Sequence, residues 1–442
     1  MVATGKQDVF LTGNPQISFF RMVYRRHTHF ATESMAMYFD GTPNFGQRIT
    51  CLIPRRGDLL GRVTLDVTLP LLRDSSGNTL SYTNSVGHAL IQEITFEVGE
   101  QEIDRQTGEW MEIWTQLTTP ASQRQALNEM IGRVEPYQTV NLVPGASSGG
   151  LRLLIPLQFY FCQNPGLYLP LIALQYAPIR INITLRPLQQ LFWVPPPDPF
   201  PTSGPAWQPT CSTQVDCTAQ IASVLLWGEF VYLDTEERRR FVSTSHEYII
   251  EQVQYTPPHS ITPNQNTATI QVDFNHPIKE FIFMVQRDEI VNRNEWFNYS
   301  HLGVGEPLPT YLQPYVNSNS PAGRLDMISS ALLQLDGKDR FQVRGPSYFR
   351  LEQPYQHHTT TPTTSFIYNY CFALRPEDAQ PTGTMNASRI DSVVWQLEMN
   401  PLLSNPAIPA TQQRGNCRVM IYAKSYNVFR VINGFGGIIF QI

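Results

Sequence analysis

The stretch RVTLDVTL (residues 62–69) sets Val63, Leu65, Val67 and Leu69 on one side and Arg62, Thr64, Asp66 and Thr68 on the other. Such alternation marks a half-buried antiparallel strand, because successive side chains of an extended chain point to opposite faces. IRINITLR (179–186) does the same with Ile179, Ile181, Ile183 and Leu185 against Arg180, Asn182, Thr184 and Arg186. Comparable runs recur at 34–40, 47–53, 91–98, 219–232, 247–255, 267–274, 278–286, 328–335, 366–373, 390–399 and 417–427, divided by Gly, Pro, Asn and Ser turns. Helical patterns are short and few: 15–26, 108–118, 121–132 and 235–243. This balance predicts an all-β protein of antiparallel sandwiches. A chain of 442 residues exceeds one ordinary core, so two domains, or at most three, are expected.

An internal repeat supports the division. ITFEVGEQEIDRQTGEWM (94–111) and LLQLDGKDRFQVRGPSYF (332–349) share a strand, a Gly-plus-polar turn, a second strand and a bulky aromatic, with Gly99 against Gly337, Ile103 against Phe341 and Trp110 against Tyr348. The boundary falls near LDTEERRRFVSTSHEY (233–248), where Glu236, Glu237, Arg238, Arg239 and Arg240 read as the solvated face of a linker, with an ion-pairing role second. PPPDPFPTSGPAWQPT (195–210) is a stiff, proline-rich excursion that suits a loop projecting from one end of a sandwich.

Charged residues make up 16% of the chain, below the roughly 25% of typical soluble domains. A surface so poor in charge is expected to be covered by neighbouring subunits. The net charge of -5 argues against a general nucleic-acid binder. Six cysteines are scattered without the spacing of a disulfide framework or zinc knuckle, and read as buried thiols in a reducing compartment. No run approaches the ~20 apolar residues of a membrane span.

Catalytic signatures are missing: there is no Walker A loop, no Gly-x-Ser-x-Gly elbow and no His-Glu-x-x-His. His27/His29 and His357/His358 invite a metal reading, but neighbours one apart on a strand face opposite sides and no acidic ligand is close in sequence, so they read as structural histidines. Glu93, Glu97, Glu100 and Glu102 read as a solvated sheet face rather than a glycosidase pair. Sequons stand at Asn182, Asn298 and Asn386; Asn182 sits inside a strand, which leaves Asn298 and Asn386 as the glycosylation candidates. Phe192, Trp193, Phe200 and Trp207 could stack on sugars, the basis of a rival carbohydrate-binding reading.

Seven blocks, in order along nearly the whole chain, closely resemble the major capsid proteins of nucleocytoplasmic large DNA viruses: TGNPQISFFRMVYRRHTHF (12–30), LPLIALQY (169–176), LDTEERRRF (233–241) with HEYIIEQVQ (246–254), FNHPIKEFIF (274–283), IYNYCFALRPEDAQPTGTMNASRID (367–391) and YNVFRVINGFGGIIF (426–440). The resemblance implies two tandem eight-stranded antiparallel jelly rolls, at 27–232 (with a Pro-rich loop, 187–217) and 246–442, joined by a linker at 233–245 and preceded by an N-terminal assembly arm at 1–26. It implies a structural protein and not an enzyme, without cofactor, catalytic residue or metal. The expected partners are two further copies in a homotrimeric, pseudo-hexagonal capsomer, neighbouring capsomers, and minor capsid and penton proteins. Contact with an inner viral membrane and with host surface glycans is compatible with it, and direct nucleic-acid binding is not expected. The expected location is the virion capsid, after synthesis and assembly in the host cytoplasm.

In the arm, Asn14 is expected as an N-cap and Pro15 as the first helical residue. Ile17, Phe20 and Tyr24 would form one apolar stripe with Phe19 beside it, and Arg21, Arg25 and Arg26 would face inward to acidic minor proteins or anionic lipid.

Overall fold

The computed structural model describes residues 3, 5–17, 19, 26–72, 81–134, 150–193, 219–304, 306, 324–404 and 413–440. RVTLDVTL lies inside strand Leu59–Leu69, with Val63, Leu65, Val67 and Leu69 all buried. Asp66, expected on the wet face, is also buried. Its carboxylate accepts from Arg152 (2.7 and 3.0 Å) and from the Trp227 indole (3.2 Å), and the Arg152 bond holds it below the usual carboxylate range.

Two four-stranded antiparallel sheets face each other in the first half. One runs Phe30–Met37, Ser223–Leu233, Leu59–Leu69, Leu151–Pro156; the other runs Arg48–Leu52, Ile179–Leu185, Ile91–Val98, Gln101–Thr107. The second half repeats the plan. One sheet runs His246–Tyr255, Cys417–Ile432, Pro277–Arg287, Tyr368–Cys371, with short strands added at His259–Ile261, Met385–Asn386 and Phe435–Ile438; the other runs Thr267–Val272, Val393–Met399, Ile328–Leu335, Lys338–Asp339. Numbered in chain order within each half, the principal strands read 1-8-3-6 and 2-7-4-5 both times. That shared order is what two successive Greek keys produce.

Each half closes over its own core. Phe96, Phe159 and Phe161 cluster in the first; Phe281, Phe283, Phe349, Tyr368 and Trp395 cluster in the second. The sequence repeat falls on the fourth and fifth strands of both halves: Gly99 (φ 69°) and Gly337 (φ 72°) occupy the turns of the two hairpins, and each hairpin leads into a helical segment carrying the matched aromatic, Gly108–Thr118 for Trp110 and Tyr348–Glu352 for Tyr348. Positive φ there strains any residue with a Cβ, which is why glycine recurs.

In the arm the structure departs from the expectation. The helix is Asp8–Thr12, and Asn14 follows it in the left-handed region (φ 54°) with Pro15 to Ile17 non-helical. Gly13-Asn14-Pro15 therefore ends a helix, in line with the tolerance of Gly and Asn for chain reversal, instead of starting one. Ile17 and Phe19 are about nine-tenths exposed, and Arg26 is exposed. Phe20, Arg21, Tyr24 and Arg25 lie outside the described residues, as do most of the Pro-rich loop and Cys211 and Cys217. The described cysteines, Cys51, Cys162, Cys371 and Cys417, are free thiols, and no helix among the described residues is long and apolar enough to cross a membrane.

Candidate assembly site

Helix Gly108–Thr118 is where the two halves meet. Thr107 caps it, its hydroxyl accepting from the Trp110 amide (3.2 Å). Gly108 lies so close to neighbouring backbone that a Cβ would sit 2.2 Å from the His88 carbonyl oxygen and 2.3 Å from that of Ile91. Pressed in this way, the helix buries both faces. Trp110, Ile113, Trp114 and Leu117, spaced as one helical stripe, pack on Ile282, Met284, Met420 and Tyr422 of the second half. Each such large side chain removed from water stabilises the junction by about 1.5–3 kcal/mol. The opposite face turns Met111 into the first core and Glu112 onto His88 (2.6 Å) and Arg133 (3.0 Å). Burial alone would raise the Glu112 carboxyl; Arg133 and His88 outweigh it and hold the group at about 2.

Charged groups are sealed in beside the tryptophans. Glu251 bridges Lys279 and Lys424, at 2.6 Å to Lys424, and the Lys424 ammonium sits 3.4 Å from the Trp114 ring centroid. Burial opposes the Lys279 charge but Glu251 outweighs it, whereas burial, with the neighbouring Lys279 charge, pulls Lys424 down to about 8. A register shift between Ile278 and Glu280 lets two consecutive charged residues, Lys279 and Glu280, both sit inside. Further along, Glu109 pairs with Arg186 (2.6 Å), whose guanidinium lies 3.7 Å over the Trp296 ring of the second half. Trp296 donates to the Gln190 carbonyl (2.8 Å) and Asn294 to those of Gln189 and Phe192 (2.9 and 2.8 Å). Asp104 accepts from the Val253 amide (3.1 Å), and burial pushes its carboxyl up to about 7. Polar groups this deep are tolerable only when partnered, so the junction specifies one relative placement of the halves.

The remaining residues singled out in the sequence are dispersed. In the linker helix Thr235–Ser243, Asp234 caps the Glu237 amide (2.9 Å) and Arg238 pairs with Asp58 (2.9 Å), an anchor to the first half; Glu236, Arg239 and Arg240 are exposed. Asn298 is not an accessible glycosylation site. Its buried amide donates to Glu295 (2.7 Å) and the Leu302 carbonyl (2.9 Å), and its oxygen accepts from Arg324. Asn386 is exposed, and Asn182 is buried among Thr50, Thr95 and Glu97. Phe192 is fully buried, which removes it from a sugar platform; Phe200 and Trp207 lie outside the described residues. His27 and His29 are exposed, with the His27 ring against the Thr28 carbonyl. His358, in contrast, is enclosed between Glu280 and Glu377, partners that sequence proximity did not supply for the first of them. The legible signal was a Lys-Glu pair inside the apolar run PIKEFIFMV, which a buried strand carries only if both charges are partnered.

Comparison with known proteins agrees with this architecture. A family described as "Large eukaryotic DNA virus major capsid protein" matches residues 237–437, and one described as "Major capsid protein N-terminus" matches 18–234. The chain is 37% identical to the major capsid protein of Pyramimonas orientalis virus (100% of this chain, 98% of that one) and 35% identical to that of Paramecium bursaria Chlorella virus 1 (99% and 98%). Its fold superposes on the subunit of the PBCV-1 virus capsid with a TM-score of 0.74 at 29% identity, covering 96% of this chain and 100% of that one. The Faustovirus major capsid protein shares the fold at TM-score 0.72 and 12% identity. With the matched strand orders of its halves, the sealed junction between them and relatives matched from end to end, this chain belongs to the family of large eukaryotic DNA virus major capsid proteins: a double jelly-roll structural subunit of the virion capsid, not an enzyme.

Proposed function

We propose that three copies close into a pseudo-hexagonal capsomer by repeating between chains the contact that joins the halves within one. The carrying observation is an asymmetry. Helix Gly108–Thr118 of the first half covers the outer face of the second half's sheet, while the helical segment after the corresponding hairpin, Tyr348–His357, presents Tyr355 at 82% exposure. The corresponding outer face of the first half, with Arg62 exposed and Thr64, Leu225, Trp227 and Glu229 half-buried, is left uncovered by the described residues of the single chain. Placing one on the other gives a heterologous contact that closes after three subunits. Tyr355→Glu is expected to convert a trimer into monomers by analytical ultracentrifugation. A wild-type chain that sediments as a monomer at micromolar concentration with an intact thermal transition overturns the trimer.

The arm works in the next level of assembly, with neighbouring capsomers and minor capsid and penton proteins. Val9, Phe10, Leu11, Ile17 and Phe19 are exposed on a segment too short to be stable as an isolated helix, which favours docking on another component on the inner side of the shell. Deleting residues 1–26 is expected to leave trimers intact and impair shell closure, read by electron microscopy of particles; normal capsids from that deletion remove this role. Free thiols throughout the described chain suit assembly in the reducing host cytoplasm.

A further inference from the structure

Beneath the Trp114 side of the junction, where the His358 ring meets the Trp114 ring edge-on, three segments converge. Strand Pro277–Arg287 brings Glu280, strand Tyr368–Cys371 brings Cys371, and the residue after helix Gln353–His357 brings His358. His358 Nε2 lies 2.8 Å from Glu280 Oε2; Cys371 Sγ lies 3.6 Å from that oxygen and 3.9 Å from that nitrogen. Donors around a tetrahedral zinc with bonds of about 2.0–2.3 Å stand roughly 3.3–3.8 Å apart. The two edges to sulfur are close to these values, and the nitrogen–oxygen edge has to open by about half an ångström.

Other features suit the same ion. The second ring nitrogen of His358 is 3.0 Å from Glu377, itself fixed by the Thr359 amide (2.7 Å) and hydroxyl. A carboxylate behind a histidine in this way sets the tautomer that leaves Nε2 free to ligate. Among the described residues, Glu280 Oε1 and Asn369 Oδ1 are buried with no hydrogen-bond partner. The Asn369 amide nitrogen is 3.7 Å from the Cys371 sulfur, so turning that amide over presents its oxygen as a fourth donor.

The geometry points to a structural zinc site built by Glu280, His358 and Cys371, with Glu377 as the positioning residue. Binding displaces to water the Cys371 thiol proton and the proton shared between His358 Nε2 and Glu280 Oε2, leaving the Nδ1 proton on Glu377's side, and puts one divalent ion in their place; no oxidation is involved. Two positive charges leave and two arrive, so the balance with Glu251, Glu377, Lys279 and Lys424 inside the junction is unchanged. The ion would tie the helix that carries Tyr355 to the two strands beneath it. This inference does not depend on the trimer.

The test uses the full chain, dialysed against a chelator and titrated with Co²⁺ alone or Zn²⁺ alone. About one equivalent per chain is expected, with cobalt giving tetrahedral visible bands and a thiolate-to-metal absorption in the near ultraviolet. Cys371→Ser should abolish that absorption and weaken zinc binding at least about tenfold, Glu377→Gln should weaken binding by roughly 10- to 100-fold while keeping the absorption, and Cys162→Ser should change neither. A wild-type chain without the thiolate absorption, or one whose absorption survives Cys371→Ser, overturns the site.

Discussion

Glu251→Gln is expected to cost the folded chain about 3–5 kcal/mol, because it strands two buried cations at once. The Lys279 side chain is 0% exposed and that of Lys424 is 2% exposed, and Glu251 is the carboxylate that bridges them. The Trp114 and Tyr426 rings lie near the two ammonium groups, yet a ring quadrupole contributes only about 0.5–2 kcal/mol. Replacing Lys424 with methionine instead removes one cation and leaves Glu251 with Lys279. Its cost should be smaller, since Lys424 is already the weaker base, pulled down to about 8. Urea denaturation at fixed protein concentration separates the two variants. A Glu251→Gln chain within 1 kcal/mol of wild type would mean that water reaches both ammonium groups.

Acid is expected to loosen the same junction from its other face. Glu112 is fully buried, and its folded value of about 2 is depressed below the ordinary 4.5. A depressed carboxyl contributes stability that is fully present above about pH 4.5 and is lost as pH falls towards 2. The shift is equivalent to about 3 kcal/mol. Wild-type stability should therefore fall between about pH 4.5 and 2, whereas Glu112→Gln should be weaker by that order at pH 7 and lack this part of the acid slope. An unchanged slope in the variant would assign the acid sensitivity to other groups.

Much of the fold was legible because its signal is local. Alternation located RVTLDVTL and IRINITLR, and the Gly99/Gly337 repeat located equivalent hairpins, since period and turn chemistry are properties of adjacent residues. The helix at 108–118 was also visible, but nothing in its sequence says that Trp110 and Trp114 face a sheet formed some 170 to 310 residues later. For the same reason Glu280, His358 and Cys371 could not be assembled by spacing: they meet through pairing of non-adjacent strands. The arm misled for a local reason. Asn-Pro reads equally as the start of a helix or as the stop of the preceding one, and the turn at Gly13 and Asn14 decided for the stop.

Strand Cys417–Ile432 has consequences for how the chain is made. It pairs with His246–Tyr255, His259–Ile261, Pro277–Arg287 and Phe435–Ile438, and so forms the spine of the second half, yet it is translated after the first three of these partners. The first half has all its principal strands by Leu233 and is free to close early, with the tryptophan stripe of helix Gly108–Thr118 waiting for Met420 and Tyr422. A nascent or truncated chain ending before Cys417 should therefore be a holdase client that yields a protease-resistant first half on limited proteolysis. Synthesis of Cys417–Ile432 is then the step that completes the second half and its seam with the first.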